Sequence, residues 1–218
     1  LLGKLKMSHS SPVKKFSFIR IASIILFTAA TIYLIPGLTN TKAADLKLIS
    51  GFPPPRTYSI YKVETGKSGV FAPIHNDYAG ALKLAKEQGK PVLIDFTGWA
   101  CVNCRRMEEK VWPDNIIDSL FRNNFIVVSL YVDERKNLPL AEQTVEKLSN
   151  GTEKSIVTVG DKWATFQIEN FGATSQPQYA IISPDQKAQT KTKFYTPDAD
   201  EFIRWLGCGL EAWGKSKK

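Results

Sequence analysis

The sequence predicts an α/β fold, with a central mixed sheet flanked by helices and one transmembrane helix before it. Two observations lead to this prediction. An uncharged apolar segment lies near the N-terminus, and strand-like apolar runs alternate with helical patterns after residue 76. The chain has 218 residues and a hydrophobic fraction of 43%, enough for one ordinary domain with appendages.

The positive charge is concentrated at the N-terminal end. The net charge is +8, but the first acidic residue is Asp45, and the chain from there onward carries only +2. A nucleic-acid partner is therefore not expected, because such a domain needs a basic surface of its own. The basic residues before Asp45 are Lys4, Lys6, Lys14, Lys15, Arg20 and Lys42.

Residues 21–38 are predicted to form a transmembrane helix, because they are apolar and uncharged over 18 positions. Basic residues flank the N-terminal side, so residues 1–20 are expected to be a basic cytoplasmic segment, with the rest of the chain outside. The alternative is a cleaved signal peptide, whose apolar core is usually shorter, about 7–15 residues. Because residues 1–6 precede Met7, we also expect a piece of a longer protein.

Residues 39–75 read as a linker, since they contain a triple proline and several glycines without periodicity. A domain is predicted over 76–214, followed by a basic tail, 215–218. Within the domain, Asn76 or Asp77 caps a first helix, and Asp198 caps the last one. The other predicted elements are strands at 91–97, 125–132, 179–183 and 189–195, and helices at 105–112, 115–122, near 140–149 in a polar insertion (133–160), and 161–171.

The most informative motif is Cys101-x-x-Cys104, between a strand-like run and a helix-like one. Thiol–disulfide exchange needs an exposed, stabilised thiolate with a second thiol in reach. A helix N-terminus stabilises the thiolate of Cys101, and Arg105 and Arg106 are expected to add to this. The two-residue spacing lets Cys104 attack a mixed disulfide on Cys101. The alternative, half of a zinc site, needs two further ligands. The chain offers for these only His9, His75 and Cys208.

Two carboxylates stand at useful distances from the cysteines. Asp95 lies six residues before Cys101 on the predicted central strand, and a buried carboxylate there has a raised pKa and exchanges a proton with Cys104. Its alternative is a solvated residue at a strand end. Glu108 lies two helical turns after Cys101, where a second carboxylate raises the thiol pKa. Its alternative is an ordinary exposed helix residue.

Three further residues are assigned to the site. Pro177 precedes a strand, and a cis bond there would leave the Gln176 backbone free to pair with an extended partner, although a simple strand-start proline fits too. Trp99 is predicted to form an apolar lip over Cys101, with core packing as the alternative. Cys208 lies among apolar helix positions and is predicted to be a small buried residue without a role.

At residues 95–109 the chain resembles the C-terminal thioredoxin-like domain of the DsbD family of transmembrane thiol:disulfide interchange proteins. The resemblance covers about 76–214 and extends to a preceding last transmembrane helix and tether. It implies a thioredoxin-like fold, a redox-active Cys101–Cys104 disulfide without other cofactor or metal, tuning by Asp95 and Glu108, and a cis-proline at Pro177.

The same resemblance implies a protein-disulfide reductase in a bacterial cytoplasmic membrane, with its domain facing the periplasm. Electrons would come from a membrane-embedded donor domain, the missing N-terminal part of the same protein. They would pass to periplasmic thiol-disulfide proteins, including those of cytochrome c biogenesis. Two alternatives are a free-standing membrane-anchored thioredoxin-like protein and a thioredoxin-fold binding or metal-chaperone module. One departure from the common thioredoxin pattern is Ala100, which separates Trp99 from Cys101.

Overall fold

The structure is a computed structural model and describes residues 17–38, 46–53 and 71–216. Most of the predicted basic segment, most of the linker and the end of the basic tail lie outside the described residues. The described residues up to Leu48 belong to one compact unit, and those from Ile49 onward belong to a second.

The first unit contains helix α1 (Phe18–Leu34), which continues as a 3-10 turn (Ile35–Leu38). Of the helices that the structure describes, one has the length and composition to cross a membrane, Phe18–Gly37, with 20 residues and a mean hydropathy of 2.1. No residue of α1 is buried. The helix begins a little before the predicted residue 21.

The second unit is a four-stranded sheet with helices on both faces, joined by a separate two-stranded hairpin. Its regular elements are β1 (Ile74–His75), α2 (Tyr78–Gln88), β2 (Val92–Thr97), α3 (Val102–Arg106) with a π-helical continuation (Met107–Val111), α4 (Asn115–Asn124), β3 (Ile126–Tyr131), β4 (Thr144–Lys147), β5 (Glu153–Ile156), α5 (Val159–Phe171), β6 (Gln178–Ile182) and α6 (Ala199–Ser216). Short 3-10 turns lie at Lys47–Ile49 and Leu140–Glu142.

The strand order is β1-β3-β2-β6, and the sheet is mixed, as predicted. Strand β2 pairs in parallel with β3, with Asp95 opposite Ser129. On its other side β2 pairs antiparallel with β6, with Phe96 opposite Gln178. Strand β2 is thus hydrogen-bonded on both edges, and all six of its residues are buried.

Alternation along β2 divides its side chains between two cores. Leu93 lies in the core formed with α4, α6 and the π-helical continuation of α3, whereas Ile94 and Phe96 lie in the core formed with α2 and α5. By the same alternation, Asp95 and Thr97 face the side of α3. Two polar residues are therefore buried against the helix that follows Cys101.

Side chains at the helix starts account for where the helices begin. The Asp77 carboxylate accepts a hydrogen bond from the Gly80 N–H at 2.8 Å, and the Asp198 carboxylate accepts one from the Glu201 N–H at 3.0 Å. Thr158 and Asp161 form a reciprocal capping box at the start of α5. The predicted Asp77 and Asp198 caps are both confirmed.

The predicted helix near 140–149 is wrong. The segment instead forms the antiparallel hairpin β4–β5, with Thr144 opposite Ile156. Its connection contains Asn150 and Gly151, and Gly151 has a φ of +85°, a conformation that favours glycine. An Asn-Gly pair between two short runs is a hairpin signal, which outweighs the weak helical pattern.

Two other predicted elements differ from the structure. Residues 189–195 form no regular strand. They contact the sheet through the bridge Tyr179–Lys193 and through the Gln189 N–H, which donates to the Ile181 carbonyl at 2.8 Å; another bridge, Ile182–Ala188, lies just before this segment. Strand β1 lies inside the predicted linker, because Ile74 and His75 pair with β3. Both differences involve pairing partners distant in sequence, which the local pattern does not contain.

Two glycines in helices are expected to respond in opposite ways to an added methyl group. A Cβ at Gly160 would lie 2.7 Å from the Glu134 backbone, whereas a Cβ at Gly207 would meet nothing within 4 Å. We expect Gly160→Ala to lower the free energy of unfolding by about 1–3 kcal/mol. Gly207→Ala should raise it by about 0.5–1 kcal/mol, because glycine loses more backbone entropy on folding.

Urea unfolding of a soluble fragment starting at Asp45, followed by tryptophan fluorescence, measures both changes. Equal effects of the two substitutions would contradict the packing described around Gly160.

Candidate active site

Cys101 and Cys104 are joined by a disulfide at the start of α3, with Cα atoms 5.2 Å apart. Cys101 is the N-cap residue, and the Cys104 N–H donates to its sulfur at 3.1 Å. Cys104 is 1% exposed, whereas Cys101 is only half-buried. Cys101 is therefore the more accessible of the two cysteines, and the order of attack stays a prediction.

The loop before Cys101 is held by Asp133, the second residue after β3. Its carboxylate accepts hydrogen bonds from the N–H groups of Trp99, at 2.8 Å, and Ala100, at 3.1 Å. A Cβ at Gly98 would lie 3.0 Å from the same carboxylate, so glycine permits this close approach. These contacts fix the backbone immediately before the reactive sulfur.

Trp99 packs on the end of the sheet beside the disulfide. Its ring stacks on Tyr131 with centroids 4.2 Å apart, and its Nε1–H donates to Glu134 at 3.1 Å. The side chain is half-buried, so the predicted lip and the alternative of packing are not exclusive. An open pocket here is lined by Trp99, Ala100, Asp133, Glu134 and Arg135.

Asp95 is 1% exposed, so it is not the solvated strand-end residue that was the alternative. Its Oδ2 accepts a hydrogen bond from the Ser129 hydroxyl at 2.8 Å, while Oδ1 has no partner among the described residues. Burial raises the pKa of Asp95 to about 7, although the Ser129 hydrogen bond and the charge of Arg105 both act to lower it.

Glu108 forms an ion pair with Arg105, with Oε1 2.7 Å from Nη2. Burial raises the pKa of Glu108 to about 8, opposed by Arg105 and reinforced by the charges of Asp95 and Glu109. The Arg105 side chain is 2% exposed and also donates to the Thr97 hydroxyl at 3.1 Å. Arg105 was expected to act on the thiolate together with Arg106, but its bonds go to Glu108 and Thr97, and Arg106 is exposed.

The loop before β6 contains a cis peptide bond between Gln176 and Pro177, as the resemblance implied. Because Phe96 is opposite Gln178, this loop adjoins the chain that leaves β2 toward Cys101. Gln167 of α5 holds the loop: its Nε2 donates to the Ser175 carbonyl at 3.0 Å, and its Oε1 accepts from Gln176 at 3.0 Å.

Part of the predicted linker contacts α3 and its π-helical continuation. The Ser50 hydroxyl donates to the Glu109 carboxylate at 2.6 Å, and the Gly51 N–H donates to it at 3.1 Å. Gly51 is buried with a φ of +87°, and a Cβ there would lie 2.8 Å from Val102 Cγ1. These two residues of the predicted linker are therefore packed against this helix.

The structure also shows the surroundings of Cys208 and His75, the two other residues considered as zinc ligands that it describes. Cys208 is a free thiol on the exposed side of α6, so the prediction that it is buried is wrong. The ring of His75 stacks on Tyr131, 5.4 Å between centroids, and burial together with Arg105 lowers its pKa. Within residues 17–38, 46–53 and 71–216, no group of three or more His, Cys, Asp or Glu side chains could hold a metal ion.

Comparison with known proteins identifies the domain. Residues 73–151, which include both cysteines, match a family model described as thioredoxin-like. The fold is thioredoxin-like, of the disulfide-oxidoreductase type, with a closely spaced cysteine pair at the start of a helix. A search of curated proteins found no match.

Several solved structures are similar to this chain. A DsbH oxidoreductase is 16% identical, with 72% of this chain and 97% of that chain covered and a TM-score of 0.47. A thioredoxin from Thermus thermophilus is 18% identical, with coverages of 68% and 95% and a TM-score of 0.48. The reduced C-terminal domain of DsbD from Neisseria meningitidis is 14% identical, with coverages of 62% and 97% and a TM-score of 0.41.

Sequence reasoning missed four residues that shape the site: Thr97, Ser129, Asp133 and Gln167. Asp133 had a usable signal, because polar residues after parallel strands meet at one edge of the sheet. Ser129 sits inside an apolar run, and Gln167 sits inside a helix, so neither pattern indicates a polar contact. Only the register of the sheet brings Ser129 opposite Asp95.

Asp95 is expected to make stability depend on pH. Its pKa in the folded chain, about 7, lies above its ordinary value of 3.8, so the folded state holds the extra proton between these values. The free energy of unfolding therefore falls as pH rises from about 4 to 7, by at most about 4 kcal/mol at about 1.36 kcal/mol per unit. Asp95→Asn should remove the part of this fall that Asp95 causes and leave the part that Glu108 causes, whose pKa of about 8 also lies above its ordinary value. At pH 8 the variant should be the more stable chain.

Urea unfolding at pH 4 to 8 tests this, with Asp185→Asn as the control because the Asp185 side chain is 78% exposed. An Asp95→Asn chain that is less stable than the wild type at pH 8 would show that Ser129 and Arg105 favour the ionised carboxylate more than burial disfavours it.

Proposed function

We propose that this chain is a membrane-tethered, extracytoplasmic thiol:disulfide oxidoreductase that reduces disulfides in periplasmic proteins. The observation that carries the proposal is the Cys101–Cys104 disulfide at the start of a helix, with Cys101 half-buried and Cys104 1% exposed. A structural disulfide needs no accessible sulfur and no buried carboxyl group beneath it, whereas an exchanging pair uses both.

In the reduced chain, the Cys101 thiolate attacks one sulfur of a partner disulfide. A bond forms between Cys101 and that sulfur, the partner's S–S bond breaks, and the released partner thiolate takes a proton. Cys104 then loses its proton and attacks the Cys101 sulfur, which releases the second partner thiol. Two electrons have moved to the partner, whose two thiolates take one proton from the solvent and the one that Cys104 released, and the Cys101–Cys104 disulfide is restored.

Asp95 is the group proposed to take the proton of Cys104. It faces α3 from β2, and its pKa of about 7 matches proton exchange near neutral pH. Cys104 itself is buried, so bulk water has little access to its thiol. Trp99 lies two residues before Cys101, and the Gln176–Pro177 loop adjoins the chain that leaves β2 toward it. We assign to them the binding of an extended partner segment.

The helix Phe18–Gly37 is proposed to anchor the chain, with the domain on the outer side of the cytoplasmic membrane. Each turnover consumes the dithiol, so a dithiol donor must reduce the pair again. We propose a membrane-embedded donor domain for this step, as in the DsbD family that the sequence resembles. Oxidised thiol-disulfide proteins of the periplasm would be the acceptors.

Single-cysteine variants are expected to behave differently. In Cys104→Ser the second attack is impossible, so the mixed disulfide on Cys101 accumulates. In Cys101→Ser the remaining thiol is 1% exposed, and little adduct should form. Incubation of each variant with a disulfide-containing protein, followed by non-reducing electrophoresis, measures the adduct. We expect at least about tenfold more adduct in Cys104→Ser than in Cys101→Ser, because a buried thiol is poorly accessible to a partner disulfide.

Equal trapping by both variants would contradict the assigned order of attack. No adduct with either variant, under conditions in which free glutathione reacts with the same disulfide, would contradict the proposed function. Cys208→Ser in both variants removes the exposed third thiol as a source of adducts.

A further inference from the structure

Arg105 occupies a position that is unfavourable for a cation. Its side chain is 2% exposed and is among the largest fully buried side chains of the described residues. A buried charge costs several kcal/mol unless it is paired, and apolar residues of similar volume often fill such a place without loss of stability. Packing alone therefore does not account for an arginine here.

The contacts of Arg105 join the helix after Cys104 to the end of β2. Nη2 lies 2.7 Å from Glu108 Oε1 and donates to the Thr97 hydroxyl at 3.1 Å. The guanidinium carbon lies 6.0 Å from the centroid of the Tyr131 ring. Only one carboxylate pairs directly with the cation, so part of its charge remains to act on its neighbours.

Asp95 is one of these neighbours. It lies two residues before Thr97 on the same face of β2, and its Oδ1 has no hydrogen-bond partner among the described residues. The charge of Arg105 acts to lower the pKa values of both Asp95 and Glu108. Without this charge, only the Ser129 hydrogen bond would oppose the effect of burial on Asp95, and burial and the neighbouring carboxylates would act together to raise the pKa of Glu108.

Titratable groups from five strands and helices form one cluster with Arg105. His75 has a lowered pKa, so Arg105 is the one member that is cationic at neutral pH. The tyrosines have pKa values raised by burial and stay neutral there. The members are His75 on β1, Asp95 on β2, Arg105, Glu108 and Glu109 on α3 and its continuation, Tyr131 on β3 and Tyr179 on β6.

We propose that Arg105 is a positioning residue for thiol–disulfide exchange, whose buried guanidinium holds Glu108 and supplies the positive charge that lets the Asp95 carboxylate take the proton of Cys104. The inference rests on the proposed function, because it assigns a role within the same site. The proton passes from the Cys104 sulfur to Asp95 as Cys104 attacks Cys101. No electron passes through Arg105.

The test compares two neighbouring arginines in the full chain, purified in detergent. Arg105→Gln removes the buried charge but keeps an amide that can donate to Thr97. Arg106→Gln removes an equal charge from an exposed position. Carbon-13 labelling of the side-chain carboxyl groups follows Asp95 and Glu108 by NMR between pH 4 and 10. The rate at which the reduced chain reduces oxidised glutathione is measured over the same range.

In Arg105→Gln we expect both carboxyl midpoints to rise by about one pH unit. The exchange rate at pH 7 should fall about fivefold, because a rise of the Asp95 pKa from about 7 to about 8 lowers its ionised fraction at pH 7 from about one half to about one eleventh. Arg106→Gln should leave the midpoints and the rate profile unchanged. Arg105→Lys should restore the wild-type midpoints, because it keeps the charge. Unchanged midpoints in Arg105→Gln, or equal profiles for Arg105→Lys and Arg105→Gln, would overturn the inference.

If Arg105→Gln does not fold, Thr97→Val decides the question, because it removes only the oxygen that orients Nη2. A rise of both midpoints in Thr97→Val supports the inference, and unchanged midpoints overturn it. A wild-type chain that exchanges with no disulfide would remove the proposed function itself. Normal exchange in the wild type, together with carboxyl midpoints that do not change in the variants, would contradict only the role of Arg105.

Discussion

The ion pair between Arg105, whose side chain is 2% exposed, and Glu108, whose side chain is 17% exposed, is 2.7 Å long and is the interaction on which the rest of the site depends. It links the helix that carries Cys104 to Thr97 at the end of β2, and so fixes the helix over the sheet. Asp95 lies on the same face, where burial alone would hold its proton firmly. The cation moderates this effect, so that two buried carboxyl groups titrate near neutral pH, at about 7 and about 8.

The scaffold keeps this charged cluster between β2 and α3, the helix that begins after Cys101. Strand β2 is paired on both edges, so its backbone is rigid and the alternation of its side chains is fixed. Asp133 and Gln167 each hold one of the two loops that border the disulfide, by hydrogen bonds to the backbone and to Gln176. In the proposed function, these held loops and the half-buried Cys101 admit an extended partner while Cys104 stays buried.

Local patterns in the sequence predicted most of the fold. The long apolar runs became β2, β3 and β6, and the caps at Asp77 and Asp198 lie where helices α2 and α6 begin. The spacing of Asp95 and Glu108 from Cys101 predicted that they would lie near the disulfide. What the sequence did not predict depends on contacts between distant segments. The pairing of β4 with β5, the docking of Ser50 and Gly51 on Glu109, and the burial of Arg105 are all of this kind. Composition suggests that an arginine is solvated, and only the packed structure shows that this one is not.

The central claim is that the Cys101–Cys104 pair is an electron donor. Its reduction potential tests this most directly, measured in the full chain by equilibration with thiol buffers and quantification of free thiols. We predict a reduction potential of about −270 mV, in the range of reducing thiol proteins. A value near about −120 mV, typical of a strong oxidant, would contradict it and assign the opposite direction of electron flow.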